Sequence, residues 1–402
     1  MCSICGGTLF GEQGFDIYIK AKDRGRDFSG LAERNGLWVA NHRATPTTEA
    51  DSPLHNQPLG RYIKLVHNGT IQNDDELGVE PGEIDSAVLP RVLRFATLKI
   101  FAESLRQVKG SYAIAAMKED TIYLACNYKP IFILRVDNQI YFSSLKHHLG
   151  ENAIRMKPYS VMDLLTGETI DLPREQPNRA IVICSGGLDS TAVAGYAAKQ
   201  HEEILLLHFD YGCRATSAEQ VAIKKIAEFL ECPYKIVPLS YMGMLGGSPL
   251  LDNEQQISQG KVGAEYAYEW VPARNFLFLA YTTAFAEAND YGYIYLGTNL
   301  EEAGAYPDNE EQFILDVNAC LTGAIQNGKK LEIRTPLGNL MKPEIVKFGG
   351  IWNSPLGMSY SCYEGGEEHC GTCGPCTMRK IAFQRAGIED PTKYLNDADE
   401  PF

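Results

Sequence analysis

The segment Ser185-Gly186-Gly187-Leu188-Asp189-Ser190 constrains this chain more than any other. The residues before it, Ala180-Ile181-Val182-Ile183-Cys184, are apolar, largely β-branched and uninterrupted, the pattern of a buried parallel strand. From Thr191 to Lys199 small and apolar residues recur at helical spacing. A strand that enters a Gly-rich turn and leaves as a helix makes an anion site. Glycine lets backbone N–H groups approach phosphate oxygens, and the helix N-terminus adds partial positive charge. Ser185, Ser190 and Thr191 supply further hydroxyl donors, whereas Asp189 meets phosphate only across a Mg²⁺. The Lys of G-x-x-x-x-G-K-[ST] is absent, so a Walker-type loop is excluded.

A length of 402 residues accommodates two or three domains. Apolar content of 45% and charged content of 22% are ordinary for a soluble globular protein. No apolar run reaches the length of a membrane span, so no membrane partner is expected. The opening Met1-Cys2-Ser3-Ile4-Cys5 lacks the basic and apolar regions of a secretory signal. Eleven cysteines suit a reducing compartment with a metal site better than a disulfide framework, and a cytoplasmic location is expected. The net charge of −14 argues against a broadly basic nucleic-acid-binding surface. A local groove stays open, although Lys329, Lys330, Arg334, Lys342 and Lys347 are too dispersed to mark one.

Cys362 followed by Cys370-x-x-Cys373-x-x-Cys376 is the strongest metal pattern in the chain. Four thiolates satisfy tetrahedral Zn²⁺, and the tight run supplies three of them from one turn. An Fe–S cluster is the lesser alternative. Four filled positions predict a structural zinc, with His369 a bystander.

Up to about residue 170 short alternating runs predict strands, among them Phe15-Asp16-Ile17-Tyr18-Ile19, Ile122-Tyr123-Leu124-Ala125 and Ile131-Phe132-Ile133-Leu134. Val136-Asp137-Asn138-Gln139 reads as a hairpin turn. Helices are expected from Asp85 into Arg94, restarted at Pro90, and from Ile100 to Gln107. After residue 178 strands and helices alternate, as in a doubly wound parallel sheet: Ile204 to Phe209, a helix from Ser217 to Leu230, then Ile294 to Leu296. The expected organisation is one domain over 2–170, a polar linker over 171–178 with two prolines, and a second domain over 179–395.

Trimming of Met1 would leave Cys2 with a thiol and a free α-amine, and that amine can serve as general base for its own side chain. Asn41-His42-Arg43-Ala44-Thr45, His67-Asn68-Gly69-Thr70 and Glu83-Ile84-Asp85-Ser86 follow in order. This set resembles the class II glutamine amidotransferases, over roughly residues 2 to 165. The resemblance implies an N-terminal nucleophile fold, an αββα sandwich, with Gly110-Ser111-Tyr112-Ala113 as an inner strand. It implies that Cys2 attacks the glutamine amide, with Asn68 and the Gly69 N–H as oxyanion hole. Arg43 would bind the α-carboxylate and Asp85 the α-ammonium. The family's arginine is missing at Asn127-Tyr128-Lys129-Pro130. His67 is expected to be an ordinary turn residue, and Cys5 a packing residue.

The phosphate loop itself resembles that of the ATP pyrophosphatases, which split ATP between its α- and β-phosphates. With His208-Phe209-Asp210-Tyr211-Gly212, Val271-Pro272-Ala273-Arg274-Asn275, Tyr306-Pro307-Asp308, Lys342 and the four cysteines, residues 179 to 390 resemble the QueC family of 7-cyano-7-deazaguanine (preQ0) synthases. The resemblance implies that Ser185, Gly186, Gly187, Leu188, Asp189 and Ser190 hold the phosphates of MgATP, with Arg274, Asn275 and Lys342 close by. Tyr211, Glu302, Tyr306 and Asp308 would shape the base pocket, although each of these side chains could instead serve its own loop. Glu302, Asn309 and the loop Gly212-Cys213-Arg214-Ala215 depart from the family pattern.

A glutaminase joined to an adenylating domain predicts transfer of unprotonated ammonia inside the chain. The altered loops tilt the expectation toward amination of the preQ0 nitrile to a formamidine, as in archaeosine formation in tRNA or DNA. ATP-dependent preQ0 synthesis from 7-carboxy-7-deazaguanine is the alternative. An asparagine synthetase-like ligase and a non-catalytic QueC-like module are remote ones. The partners expected are glutamine and a 7-deazaguanine, free or within tRNA or DNA, with a homodimer left open.

Overall fold

A computed structural model describes residues 2–45, 55–245, 248–252, 255–261 and 269–396. The chain divides into two compact units, Met1–Arg174 and Glu175–Phe402. Among the described residues no helix is long and apolar enough to cross a membrane.

The first unit contains β1 (Ser3–Gly7), β2 (Phe28–Arg34), β3 (Leu37–Arg43), β4 (Lys64–Ile71), β5 (Gly110–Met117), β6 (Ile122–Cys126), β7 (Phe132–Val136), β8 (Gln139–Ser143), β9 (Ile154–Arg155), β10 (Ser160–Asp163) and β11 (Thr169–Asp171). They form two antiparallel sheets, ordered β2-β3-β1-β8-β7-β9 and β11-β10-β6-β5-β4. Strand periodicity lets each inner strand feed two cores at once. Val39 of β3, with Ile4 and Phe142, meets Val66, Ala113 and Leu124 of the other sheet. Trp38 and Ala40 point the other way, onto Ile17 and Ala21 of helix α1 (Glu12–Ala21). On the far side, Ile114 and Ala125 receive Leu89 of α2 (Leu89–Val92) and Phe101 of α3 (Leu98–Ser104). The layers therefore run helix, sheet, sheet, helix.

One expectation is corrected here. Phe15 to Ile19 lies inside α1 and is no strand. Gly14, Ile17 and Ala21 are its buried residues, three and four apart, whereas Phe15 and Ile19 are half exposed. Helical burial overrode an alternation only five residues long. The Asp137-Asn138 hairpin is present, with Val136 paired to Gln139 and Asp137 at φ 49°.

The second unit contains β12 (Arg179–Ile183), β13 (Glu203–Asp210), β14 (Tyr234–Pro238), β15 (Tyr293–Tyr295) and β16 (Glu332–Arg334). They make a wholly parallel sheet of order β14-β13-β12-β15-β16. Its helices include α4 (Leu188–Gln200), α5 (Thr216–Phe229), α6 (Arg274–Ala288), α7 (Leu300–Ala303), α8 (Glu311–Ala324), α9 (Lys342–Ile351) and α10 (Gly374–Ala386). Phe209 stacks on Phe278 of α6 at 4.3 Å, while its neighbour His208 approaches Glu219 of α5. Successive residues of a strand point to opposite faces, so α5 and α6 cover the two faces of the sheet. Strand order reverses at β12, and the crevice beyond the carboxyl ends of β12 and β15 is where such sheets bind ligands.

Phe101 is wholly buried between α3 and its sheet. Phe101→Ala is expected to cost about 3–5 kcal/mol, read from the shift of the urea midpoint at unchanged slope.

Candidate active sites

In the first unit Cys2, Arg43, Asn68, Gly69 and Asp85 line one cavity of about 710 Å³. Cys2 immediately precedes β1 and Arg43 ends β3, whereas Asn68 and Gly69 belong to β4 of the other sheet. The Cys2 sulfur lies 3.9 Å from the Ala44 carbonyl oxygen. Burial pushes its thiol up, against the opposing pull of that contact, so a base is needed to release the thiolate. Asn68 is almost fully buried, and its Nδ2 has no hydrogen-bond partner among the described residues. Only glycine fits at position 69, because a Cβ there would meet the Ser111 carbonyl oxygen at 1.9 Å.

Asp85 is held from two sides. Its Oδ2 accepts from the Ile71 N–H at 2.6 Å and its Oδ1 from the Ser86 N–H at 2.7 Å. His67 is not a turn residue, which corrects the expectation. It pairs with Ile114 in the β4–β5 ladder, buried, with Nδ1 2.7 Å from the Ser86 hydroxyl and Nε2 3.2 Å from the Ser111 carbonyl. Burial pulls its imidazole below the usual histidine range. Lys129, His55 and Gln57 also reach this cavity and were not anticipated. Cys5 packs in the core under α1.

In the second unit the phosphate loop joins β12 to α4 at the strand-order reversal. Gly186 has φ 83°, a left-handed turn that favours glycine, and Gly187 is the extended N-cap of α4. The Ser185 hydroxyl accepts from the Gly187 N–H at 3.2 Å, and the Thr191 hydroxyl donates to the Gly187 carbonyl at 2.7 Å. The Gly186 carbonyl accepts from the Tyr360 N–H at 2.8 Å.

Ser185, Asp189, Ser190, Tyr211, Arg274, Asn275 and Glu302 line a cavity of about 180 Å³ beside this loop. Leu188, Asp189, Glu302 and Lys342 meet in a smaller adjoining one. The Lys342 ammonium sits 2.5 Å from Asp189 Oδ2 and 2.9 Å from Glu302 Oε1. Burial pushes the Asp189 carboxyl up despite that ammonium. For Glu302 burial pulls the same way, but Lys342 wins and holds it below the usual range. Tyr306 and Asp308 are not among the described residues that line these two cavities. Tyr306 stacks on Trp270 at 5.4 Å, and Asp308 accepts from the Asn275 N–H at 3.1 Å at the start of α6.

His208 and Glu219 line the same cavity and were not anticipated. Burial pushes the Glu219 carboxyl up to about 7. A signal was available: Glu219 lies three, four and seven residues before Ala222, Ile223 and Ile226, which puts a carboxyl on the buried stripe of α5.

The sulfurs of Cys362, Cys370, Cys373 and Cys376 all lie within 4.8 Å of one another, a group able to hold a metal ion. Backbone N–H groups point at them, from Cys370 to the Cys362 sulfur at 3.3 Å and from Cys373 to the Cys370 sulfur at 3.3 Å. His369 is turned away, accepting from the Ser361 N–H at 2.9 Å.

Lys342→Met leaves two carboxylates facing each other without a counter-charge. The expected loss is about 3–5 kcal/mol at neutral pH by urea unfolding, shrinking as the pH falls and the carboxylates take up protons.

The family model described as queuosine biosynthesis protein QueC matches residues 179–387. The chain is 36% identical to a 7-cyano-7-deazaguanine synthase of Sulfolobus acidocaldarius, over 98% of this chain and 100% of that protein. It is equally identical to one of Saccharolobus solfataricus, over 98% and 99%. A Methanocaldococcus jannaschii protein of the same name is 39% identical over 54% of this chain and 99% of its own length. Among solved structures, the glutamine PRPP amidotransferase from B. subtilis superimposes with a TM-score of 0.36 and 14% identity, over 98% of each chain. A carboxyl-end crevice built on an SGGxDS loop, a four-cysteine cluster, the family-model match and the synthases 36% identical over 98% of the chain agree: the chain is an enzyme of the QueC family.

Proposed function

We propose that the chain is a glutamine-dependent 7-cyano-7-deazaguanine synthase. The observation that carries this reading is the match to proteins of that name over 98% of the chain, both units included. The formamidine product expected above loses ground to this alternative. Addition of ammonia to a nitrile balances without ATP, yet the chain keeps a complete phosphate loop beside a cavity.

In the first unit, removal of Met1 frees the α-amine of Cys2 to take the thiol proton. The thiolate attacks the glutamine amide carbon, and the unpartnered Nδ2 of Asn68 and the Gly69 N–H receive the oxyanion. Arg43 and Asp85 hold the α-carboxylate and α-ammonium. The amide nitrogen leaves as ammonia with a proton, and water releases glutamate.

In the second unit the loop over residues 185–190 and the N-terminus of α4 bind the phosphates of ATP. The substrate carboxylate attacks the α-phosphorus and pyrophosphate leaves. Ammonia displaces AMP to give the amide, losing one proton. The amide oxygen then attacks the α-phosphorus of a second ATP, releasing pyrophosphate and one N–H proton, and loss of AMP with the remaining N–H proton leaves the nitrile. Asp189 Oδ1, buried and without a hydrogen-bond partner, fits a Mg²⁺ on the phosphates. Lys342 balances Asp189 and Glu302 and so keeps this acidic corner folded around a polyanion.

The four-cysteine cluster fits a structural Zn²⁺. Tetrahedral Zn–S bonds put sulfurs ~3.8 Å apart, and the Cys362–Cys373 and Cys370–Cys376 separations are both 3.9 Å. Zinc there would cross-link the C-terminal segment that braces the phosphate loop through Tyr360. Cys373→Ser is expected to reduce metal content from about one ion per chain toward none by elemental analysis, and to loosen ATP binding with it.

Amide-¹⁵N glutamine, MgATP and 7-carboxy-7-deazaguanine should yield ¹⁵N-labelled nitrile with AMP and pyrophosphate by mass spectrometry. Labelled formamidine made from preQ0 without ATP would reinstate the other reading. Cys2→Ala should lower glutamine-dependent product by more than about 1,000-fold while ammonium salts still support synthesis.

A further inference from the structure

Of the groups left unused by this chemistry, His208 is the most constrained. It lies on β13, 1% exposed, and lines the cavity beside the phosphate loop. Its Nδ1 is 3.1 Å from the Cys184 carbonyl oxygen. A carbonyl only accepts, so Nδ1 carries the hydrogen, and burial, which pulls this imidazole below the usual histidine range, leaves Nε2 a bare lone pair. Nε2 has no hydrogen-bond partner among the described residues. The Glu219 carboxylate stands 3.9 Å from it, beyond hydrogen-bond range. The cavity thus holds a buried acceptor next to the Glu219 carboxyl, and the aromatic side chains of Phe209, Tyr211 and Phe278 are among the residues that line it. Leaving such an acceptor without a donor is costly unless a ligand supplies the N–H.

We propose that His208 Nε2 and Glu219 form an acceptor pair that reads the N–H edge of a nucleobase bound in this cavity. A planar heterocycle suits the aromatic walls, and an exocyclic amino or ring N–H supplies the missing donor. Two bases meet that description if the synthase reading holds, on which this inference rests: the adenine of ATP and the deazaguanine. A pocket that accepts a hydrogen bond rejects the analogue lacking the donor far more strongly than an apolar pocket rejects a size change.

Calorimetry on the full chain tests this without turnover. One arm compares α,β-methylene-ATP with its 6-desamino purine counterpart, the other 7-carboxy-7-deazaguanine with its 2-desamino counterpart. In the wild type one desamino analogue is expected to bind about 10- to 100-fold more weakly than its parent, and that arm identifies the base. His208→Leu should shrink the ratio in that arm to within about threefold, and the isosteric Glu219→Gln should reduce it without disturbing the fold. Parent ligands that bind with ratios near one in both wild-type arms overturn the assignment and leave the synthase reading standing. Failure of both parents to bind overturns the two together. A ratio that survives in both variants also overturns the assignment, because some other group then reads the base.

Discussion

A single backbone hydrogen bond, from the Tyr360 N–H to the Gly186 carbonyl, ties the phosphate loop to the cysteine-rich C-terminal segment. Gly186 turns left-handed, a conformation glycine adopts without steric cost. The C-terminal segment is itself braced. Arg379, 1% exposed, donates to the Ser359 hydroxyl at 2.6 Å and the Leu356 carbonyl at 3.0 Å, and pairs with Asp390 at 3.2 Å. A buried guanidinium is tolerable only when its donors are met in this way. Loop and cysteine-rich segment are thus joined through Tyr360, and Arg379 ties that segment together from within.

The first unit solves a comparable problem with neutral groups. Cys2, Asn68 and Asp85 need polar surroundings, yet they sit at the end of a sandwich whose two sheets are apolar inside. Asp85 accepts from two backbone N–H groups, and His67 stays uncharged between Ser86 and Ser111. Asn68 Nδ2 is the exception, a buried donor without a hydrogen-bond partner among the described residues, on a side chain that lines the cavity. Such an unmet donor costs stability in the free protein. The second unit repeats the device with the opposite polarity, at the lone pair of His208.

Much of this was legible in the residues. The run Ala180–Cys184, the glycines at 186 and 187 and the four-cysteine spacing are local patterns, and each is set by the geometry of one strand, turn or metal shell. The helix containing Phe15 was misread because five alternating residues cannot outweigh a packing stripe that only the neighbouring Trp38 reveals. Lys129 was missed because a charged residue in a loop says nothing by itself about the cavity it enters, whereas Glu219 did carry a signal in its place on the buried stripe of α5.

The sequence by itself determined the order of the two units, the parallel grammar of the second and its phosphate-loop and four-cysteine patterns, since these follow from short-range periodicity and spacing, whereas the first site's residues were named by family resemblance. Tertiary structure decided the partnerships: Lys342 between Asp189 and Glu302, 153 and 40 residues away, and His208 against the Cys184 carbonyl with its other nitrogen open. It also decided that Asp308 meets the Asn275 N–H at the start of α6. Hydrogen bonds and charge pairs act over a few ångströms, and only the folded chain brings residues so distant in sequence within that range.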